Sequence, residues 1–305
     1  MSDRIVLGPN RYGKAETHVV RVVRDGPVHE IVDLTVSTAL SGDLAASHLV
    51  GDNSNVLPTD TQKNTVFAFA REHGIASPEA FGLLLARHFV TTRPAITGAR
   101  VRLEQALWRR LDVGGEPAPH SFVRDGTYVR TADVTCGEHG PDGMAGGERG
   151  TAVTVTSGLR DLVVLNTTDS QFWGFDRDRY TTLAETRDRI LATAVTASWQ
   201  HDDAEGFGAA GGDWNASYDA VVRHLLDAFV DTSPSLALQQ TLYAMGRRVL
   251  EHRPEIVEVT LAMPNRHHFA VDLAPFGLEN PDEVYFAADR PYGLIEGTVR
   301  RERGT

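Results

Sequence analysis

Residues 264–269 read PNRHHF, two adjacent histidines behind an asparagine, within the alternating run EVTLAMPNRHHFAVDL. Three readings fit: a metal site, a proton carrier beside a bystander, or polar residues on a half-buried strand. Successive strand side chains point to opposite faces. Asn265, His267 and Phe269 then share one face, and His268 joins Arg266 on the other, so the two imidazoles cannot easily share an ion. The chain has 12 histidines and one cysteine, Cys136, with no HExxH or HxH spacing, and no metal site is expected. There is no GxSxG elbow, and Cys136 lies in a Gly-rich turn, which leaves no evident nucleophile. GFGAAGGD (206–213) lacks the Gly-Lys-Ser/Thr ending of a phosphate loop, so it reads as a flexible surface loop. No nucleotide cofactor has a visible cradle.

Other residues stand in unusual contexts, each with an ordinary reading beside a chemical one. Lys14 follows Tyr12–Gly13 just before the first strand; it is a turn lysine or a placed cation. Thr59–Asp60 sits at a helix start, as a simple cap or as part of an anion site made by free N–H groups. Phe172 and Trp173 in SQFWGF are core aromatics or a stacking platform. Arg189 precedes the apolar pair Ile190–Leu191 as a snorkelling arginine or a clamp. Gln239 lies beside core-like Leu238, solvated or binding. Taken singly, each ordinary reading is sufficient.

The elements that must position these residues follow from pattern. THVVRVVR (17–24) and HEIVDLTVSTAL (29–40) flank an Asp-Gly turn and predict a hairpin. Thr59 with Gln62 three residues on is a capping-box pattern for a helix that stops near Gly74. A second helix is expected from about Ser77 to His88, then strands over 100–112 and 118–133. The segment 136–150, rich in glycine and charge, reads as a linker. Beyond it the pattern recurs. A second hairpin is expected in TAVTVTSGLRDLVVLNTT, and a long helix in DRYTTLAETRDRILATAVTASW, with Thr182 and Glu185 as its capping box. A helix over about 214–230 follows. The next begins at Ser233–Pro234, with Leu238, Leu242, Met245 and Val249 spaced for one face. EIVEVTLAM and EVYFAADRPYGLIEGTV close the chain as strands.

The order amounts to a duplicated β-β-α-α-β-β unit, 1–140 and 141–305, in an α+β fold with antiparallel sheets and helices on one face. Four-strand sheets leave long edges bare, so subunits are expected to join edge to edge into a barrel. The formal net charge of -11 makes nucleic acid or an anionic membrane a poor partner, and an anionic substrate would need a local positive site. No apolar run of about 18 residues exists to span a membrane. The first residues, MSDRIVLGPN, lack a secretory pattern, and a reducing cytoplasm is expected.

Taken together, RYGK (11–14), TDTQKNT (59–65), LNTTDSQFWGFDRDRYTTLAETRDRIL (165–191), LQQTLYAM (238–245), MPNRHHFAVDL (263–273) and PYGLIEGTV (291–299) resemble urate oxidases (uricases) of the tunnelling fold. The resemblance implies two tandem tunnelling-fold units and a homotetramer with sites shared between subunits. It implies that urate, dioxygen and water give 5-hydroxyisourate and hydrogen peroxide with no metal or organic cofactor. Lys14 with the Thr59 hydroxyl would draw a proton from urate, and His267 would belong to the same relay. The Asp60 N–H would meet the purine, Phe172 would stack on it, and Arg189 and Gln239 would clamp its edges with the Leu238 backbone alongside. Asn265 would hold dioxygen or water above the ring. Arg266 stands where relatives often have lysine, and Leu238 where valine also occurs. RERGT lacks a peroxisomal tail, so a bacterial cytoplasm is expected. The alternatives are a pterin- or purine-processing enzyme of the same fold, or a purine-binding protein without turnover. The histidine pair should therefore behave asymmetrically: His267→Ala slows catalysis, and His268→Ala mainly lowers the melting temperature, as steady-state rates and thermal melts of both variants would show.

Overall fold

A computed structural model of the chain describes residues 4–126, 128–137, 152–288 and 290–302. The first half begins with β1 (Thr17–Val23), β2 (Glu30–Gly42), α1 (Ala45–Val50), α2 (Thr59–Glu72) and α3 (Pro78–Thr92). It continues through β3 (Ile96–Ala106), β4 (Trp108–Val113), β5 (Glu116–Arg124) and β6 (Val129–Gly137). Next come β7 (Val153–Asn166), β8 (Leu191–His201), α4 (Ala204–Ala209), α5 (Trp214–Asp231) and α6 (Leu238–His252). The last strands are β9 (Ile256–Pro264), β10 (His267–Ala270), β11 (Tyr285–Ala288) and β12 (Leu294–Arg300).

Two compact units form, one of Met1–Ser157 with Gln200–Asn215, the other of Gly158–Trp199 with Ala216–Thr305. In the first, β1-β2-β3-β6 run antiparallel in that order, with Val36 opposite Thr17 and Thr38 opposite Val101. Helix α3 packs on β3 and β6. Its start is sharp: Ser77 caps it by accepting from the Ala80 N–H at 3.1 Å, and Pro78 follows, where the missing N–H costs nothing. Phe81, Leu85 and Phe89 bury against Leu103 and Val134, each side chain contributing ~1.5–3 kcal/mol. In the second unit the order is β7-β8-β9-β12, and α6 lies on β9 and β12. The predicted stripe Leu238, Leu242, Met245 and Val249 is its buried face. The α+β class with antiparallel sheets is as expected.

Several expected elements differ. The run 178–199 is not a helix; its first part is irregular and its last part is β8. Asp and Thr side chains capture the backbone there. Asp178 Oδ1 accepts from Tyr180 N at 2.9 Å and Thr181 Oγ1 at 3.0 Å, and Thr181 Oγ1 accepts from Asp178 N. Such local bonds compete with a helical ladder, and Thr193, Val195, Thr196 and Trp199 beyond them suit a sheet. The second hairpin is one fourteen-residue strand, β7, with no turn inside it. Residues 100–112 and 118–133 divide into β3 to β6, with β4 and β5 forming a separate two-stranded ribbon. Residues 206–213 are partly helical in α4, capped by Asp203 accepting from Gly206 N at 2.7 Å. Cys136 is buried in β6 rather than placed in a turn. Helix α6 starts at Leu238, four residues beyond Pro234. Most of the expected linker, with the 140/141 boundary, lies outside the described residues.

The first unit also buries an ion pair. Arg130 Nη2 donates to Glu79 Oε2 at 2.7 Å, Ser157 Oγ donates to Glu79 Oε1 at 2.7 Å, and Arg130 Nη1 donates to Asn215 Oδ1 at 2.7 Å. Glu79 is 0% exposed and Arg130 4%. A charge left alone at such depth is costly, so Arg130→Met should destabilise this unit by about 3–5 kcal/mol in denaturant unfolding. A shift below ~1 kcal/mol would show that Ser157 alone satisfies Glu79.

Candidate functional site

In the first unit the RYGK segment lies against β2 like a short extra strand. Tyr12 exchanges backbone hydrogen bonds with Leu40 at 3.0 and 2.7 Å, and the Thr38 N–H donates to the Lys14 carbonyl at 2.9 Å. Contact is so close that a Cβ on residue 13 would sit 1.7 Å from the Thr38 carbonyl oxygen, which glycine avoids. Lys14 N–H donates to Thr38 Oγ1 at 3.3 Å. That hydroxyl donates in turn to Gln62 Oε1 at 2.7 Å, in the first turn of α2. Tyr12 Oη accepts from Leu57 N at 2.7 Å, just ahead of the same helix.

The capping box expected at Thr59 is absent. Pro58 is the N-cap, Thr59 is the first helical residue, and Gln62 turns inward to Thr38 and to the Leu57 carbonyl at 3.4 Å. The Thr59 hydroxyl is consequently not spent on capping and lies exposed. The first N–H groups of a helix have no partner within it, and their partial positive charge suits an anion. The Asp60 carboxylate faces Lys63 and Asn64, and the bond from Lys63 holds it below the usual carboxylate range, with Lys14 adding a smaller pull. Lys14, Thr59 and Asp60 are thus gathered at one helix end.

In the second unit the 170–190 loop carries Phe172 and Arg189. Phe172 exchanges backbone hydrogen bonds with Thr186 at 3.0 and 2.9 Å, which folds the loop back on itself. The Arg189 guanidinium carbon lies 5.5 Å from the Phe172 ring centre, and its Nε donates to Ser170 Oγ at 3.4 Å. Burial lowers the Arg189 pKa. Phe175 stacks on Phe172 at 4.9 Å. Ser170 bridges to Ser235, and Gln171 N–H donates to the Ser235 carbonyl at 2.7 Å, tying this loop to the segment entering α6. Leu238, buried, and Gln239, exposed, are the first two residues of α6. Their N–H groups open another helix end.

Asn265, His267 and Phe269 do not lie on one strand. Strand β9 ends at Pro264, Asn265 bridges to Thr193 of β8, and β10 begins at His267. The backbone is drawn aside because Arg266 N–H bonds to the Ala192 carbonyl at 2.8 Å. His267 and Phe269 do share a face of β10, with rings 5.8 Å apart. Burial pushes the His267 pKa down, and the charges of Arg189 and His268 push it further. His267 is therefore near enough to Arg189 to feel its charge. Among the described residues no three His, Cys, Asp or Glu side chains gather to hold a metal, and no helix is long and apolar enough to cross a membrane.

Each unit thus assembles a polar cluster. One offers a cation, a hydroxyl and a helix end. The other offers an aromatic face, a guanidinium, a helix-end amide and an imidazole that favours its neutral form. Sequence reasoning missed Thr38, Ser170 and Ser235, and gave Gln62 a capping role in place of its inward contact. The contact of Gln62 with a strand threonine leaves no motif of its own, because its spacing from Thr59 reads as a capping box.

The sequence profile of the Uricase family matches residues 10–135 and 155–296. Uricase of Arthrobacter globiformis is 48% identical over 98% of this chain and 91% of its own length. Uricase of Danio rerio is 36% identical over 95% and 93%. The crystal structure of Arthrobacter globiformis uricase has a TM-score of 0.88 at 46% identity, covering 99% of this chain and 97% of that one. With nearly the whole length matched in both sequence and fold, the chain belongs to the uricase family.

Proposed function

We propose that this protein oxidises urate with dioxygen and water to 5-hydroxyisourate and hydrogen peroxide, without metal or organic cofactor. Family membership along nearly the full chain carries this reading. In the balance, urate gives up two electrons, dioxygen takes them up as peroxide, and water supplies the new hydroxyl. Ground-state dioxygen reacts slowly with closed-shell molecules, so the protein must make urate electron-rich by removing a proton. Lys14 and the Thr59 hydroxyl serve that purpose, since a neighbouring cation makes a proton easier to remove. His267, poised in its neutral form, belongs to the relay. The Asp60 N–H meets the purine while its carboxylate is occupied elsewhere. Phe172 stacks on the ring, Arg189 and Gln239 hold its edges beside the Leu238 backbone, and Asn265 holds dioxygen or water above it. Lys14 and Thr59 belong to one unit, and Phe172, Arg189 and Gln239 to the other. We assign the working site to a homotetramer in which different subunits supply the two clusters.

The test follows urate absorbance and peroxide in metal-free protein; no turnover by the assembled protein sinks this reading. Lys14→Met should lower kcat by about 10²–10⁴-fold with little change in urate affinity. Arg189→Ala should weaken binding roughly 10- to 150-fold, the loss of one charged hydrogen bond worth ~1.5–3 kcal/mol. Mixing the two variants should recover activity if subunits exchange and share sites; no recovery after exchange is demonstrated with labelled subunits would place each site within one subunit.

A titration checks the relay. With its pKa depressed, His267 stays neutral at acidities where an ordinary histidine is charged. Removing the Arg189 charge favours the imidazolium, so in Arg189→Ala the His267 NMR midpoint should rise. An unmoved midpoint would separate the two residues.

A further inference from the structure

We infer that Thr38 and Gln62 are positioning residues for the proton-removing pair, fixing Lys14 against the Thr59 end of α2. This rests on the urate-oxidising reading above. The two side chains are buried, Thr38 at 5% exposure and Gln62 at 0%. Gln62 occupies the inward face that continues with Val66 and Ala70, where an apolar side chain of similar size would cost no desolvation. Its amide is instead engaged at both ends, accepting from Thr38 Oγ1 at 2.7 Å and donating to the Leu57 carbonyl at 3.4 Å. The Thr38 hydroxyl in turn accepts from Lys14 N–H at 3.3 Å. A continuous chain of hydrogen bonds therefore runs from the Lys14 backbone to the residues that open α2. Lys14 and Thr59 come from segments far apart in sequence, and this chain links their main chains at Lys14 itself.

The Tyr12–Leu57 bond ties the same two segments, but it lies two residues before Lys14 and acts on the loop ahead of the helix. Thr38 acts at Lys14 itself. Valine has the shape of threonine without the hydroxyl, so Thr38→Val removes the link with little change in volume, and Thr38→Ser keeps it. Neither Thr38 nor Gln62 need touch urate; they act through the geometry of Lys14 and Thr59. Small misplacement of a proton-transferring group is enough to matter, since about 1 Å can cost 10²-fold in rate.

The experiment measures kcat and KM for urate, and binding of a non-reacting purine analogue, well below each variant's melting temperature. Thr38→Val should lower kcat about 10- to 100-fold while analogue binding changes less than about threefold. Thr38→Ser should return kcat to within about threefold of wild type, because the hydroxyl is restored. In a Lys14→Met background, Thr38→Val should cause no further loss of rate, since residues acting in series are not additive. Gln62→Met serves as the second variant if Thr38→Val does not fold, with the same split expected. A lowered melting temperature with unchanged kcat in the folded variants would overturn the inference, as would equal and additive losses in the Lys14→Met background. Wild-type protein that does not oxidise urate would instead refute the functional reading, so the two failures are distinguishable.

Discussion

The closest constraint in the first unit is a contact between two backbones. A Cβ at position 13 would meet the Thr38 carbonyl oxygen at 1.7 Å, a distance no side chain tolerates. With glycine there, the chain before β1 lies flush on β2 and pairs with it through Tyr12 and Lys14. Everything at that end follows from this approach. Lys14 reaches the Thr38 hydroxyl, Thr38 reaches Gln62, and Tyr12 reaches Leu57. Because Gln62 turns inward, Thr59 is relieved of capping and keeps its hydroxyl outside. Local helix stability is given up there, typically ~1 kcal/mol for a cap, and Thr59 is left exposed at the helix start.

The second unit solves its positioning problem without regular structure. Phe172 and Arg189 sit in a loop closed by Asp, Ser and Thr side chains rather than by a helix or a long ladder. Asp188 accepts from Asp169 N at 2.7 Å and from Thr168 Oγ1 at 3.0 Å, while Thr186 Oγ1 donates to the Asp188 carbonyl at 2.7 Å. The Arg187 guanidinium lies 3.7 Å from the Trp173 ring centre, a cation over an aromatic face. The loop is then fastened to the α6 entry through Ser170 and Ser235. Binding groups on loops held by a rigid scaffold are common, because a loop can aim side chains that a helix would distribute around its axis.

This explains what was legible in the sequence. The α6 stripe was readable because an apolar face repeats with the turn of the helix, and β1–β2 because alternation around Asp-Gly repeats with the pleat. The 178–199 run misled for a physical reason. Its charged and leucine residues satisfy helical spacing, yet the Asp178 and Thr181 side chains bond the backbone first, and the β-branched residues beyond suit β8. Thr59–Gln62 matched the capping-box spacing at the right place, but the glutamine found a better partner across the sheet. The family resemblance names Lys14, Thr59, Phe172 and Arg189 as expected site residues whatever element carries each. Thr38 and Gln62 could not be found that way, since their meaning lies in a contact between residues 24 apart. Asn265 was placed on the strand with His267 because alternation runs through it, and only the pull of Ala192 on Arg266 breaks that strand.

The electrostatics reconcile an acidic chain with an anionic substrate. A net charge of -11 repels urate at long range, but salt screens such a field over about 8–10 Å. At contact, the local groups decide. Arg189 is half-buried against a phenylalanine ring and a neutral serine hydroxyl, and among the described residues it has no carboxylate partner. Burial lowers its pKa, and no charge among the described residues acts the other way. A structural arginine at that depth would ordinarily be paired, as Arg130 is with Glu79. Leaving a cation partly desolvated and unpaired costs stability in the free protein, and an anion that binds there recovers it. At the start of α2 the first N–H groups have no partner within the helix, and the Lys14 charge is close enough to act on Asp60. The Asp60 carboxylate accepts from Lys63 and Asn64.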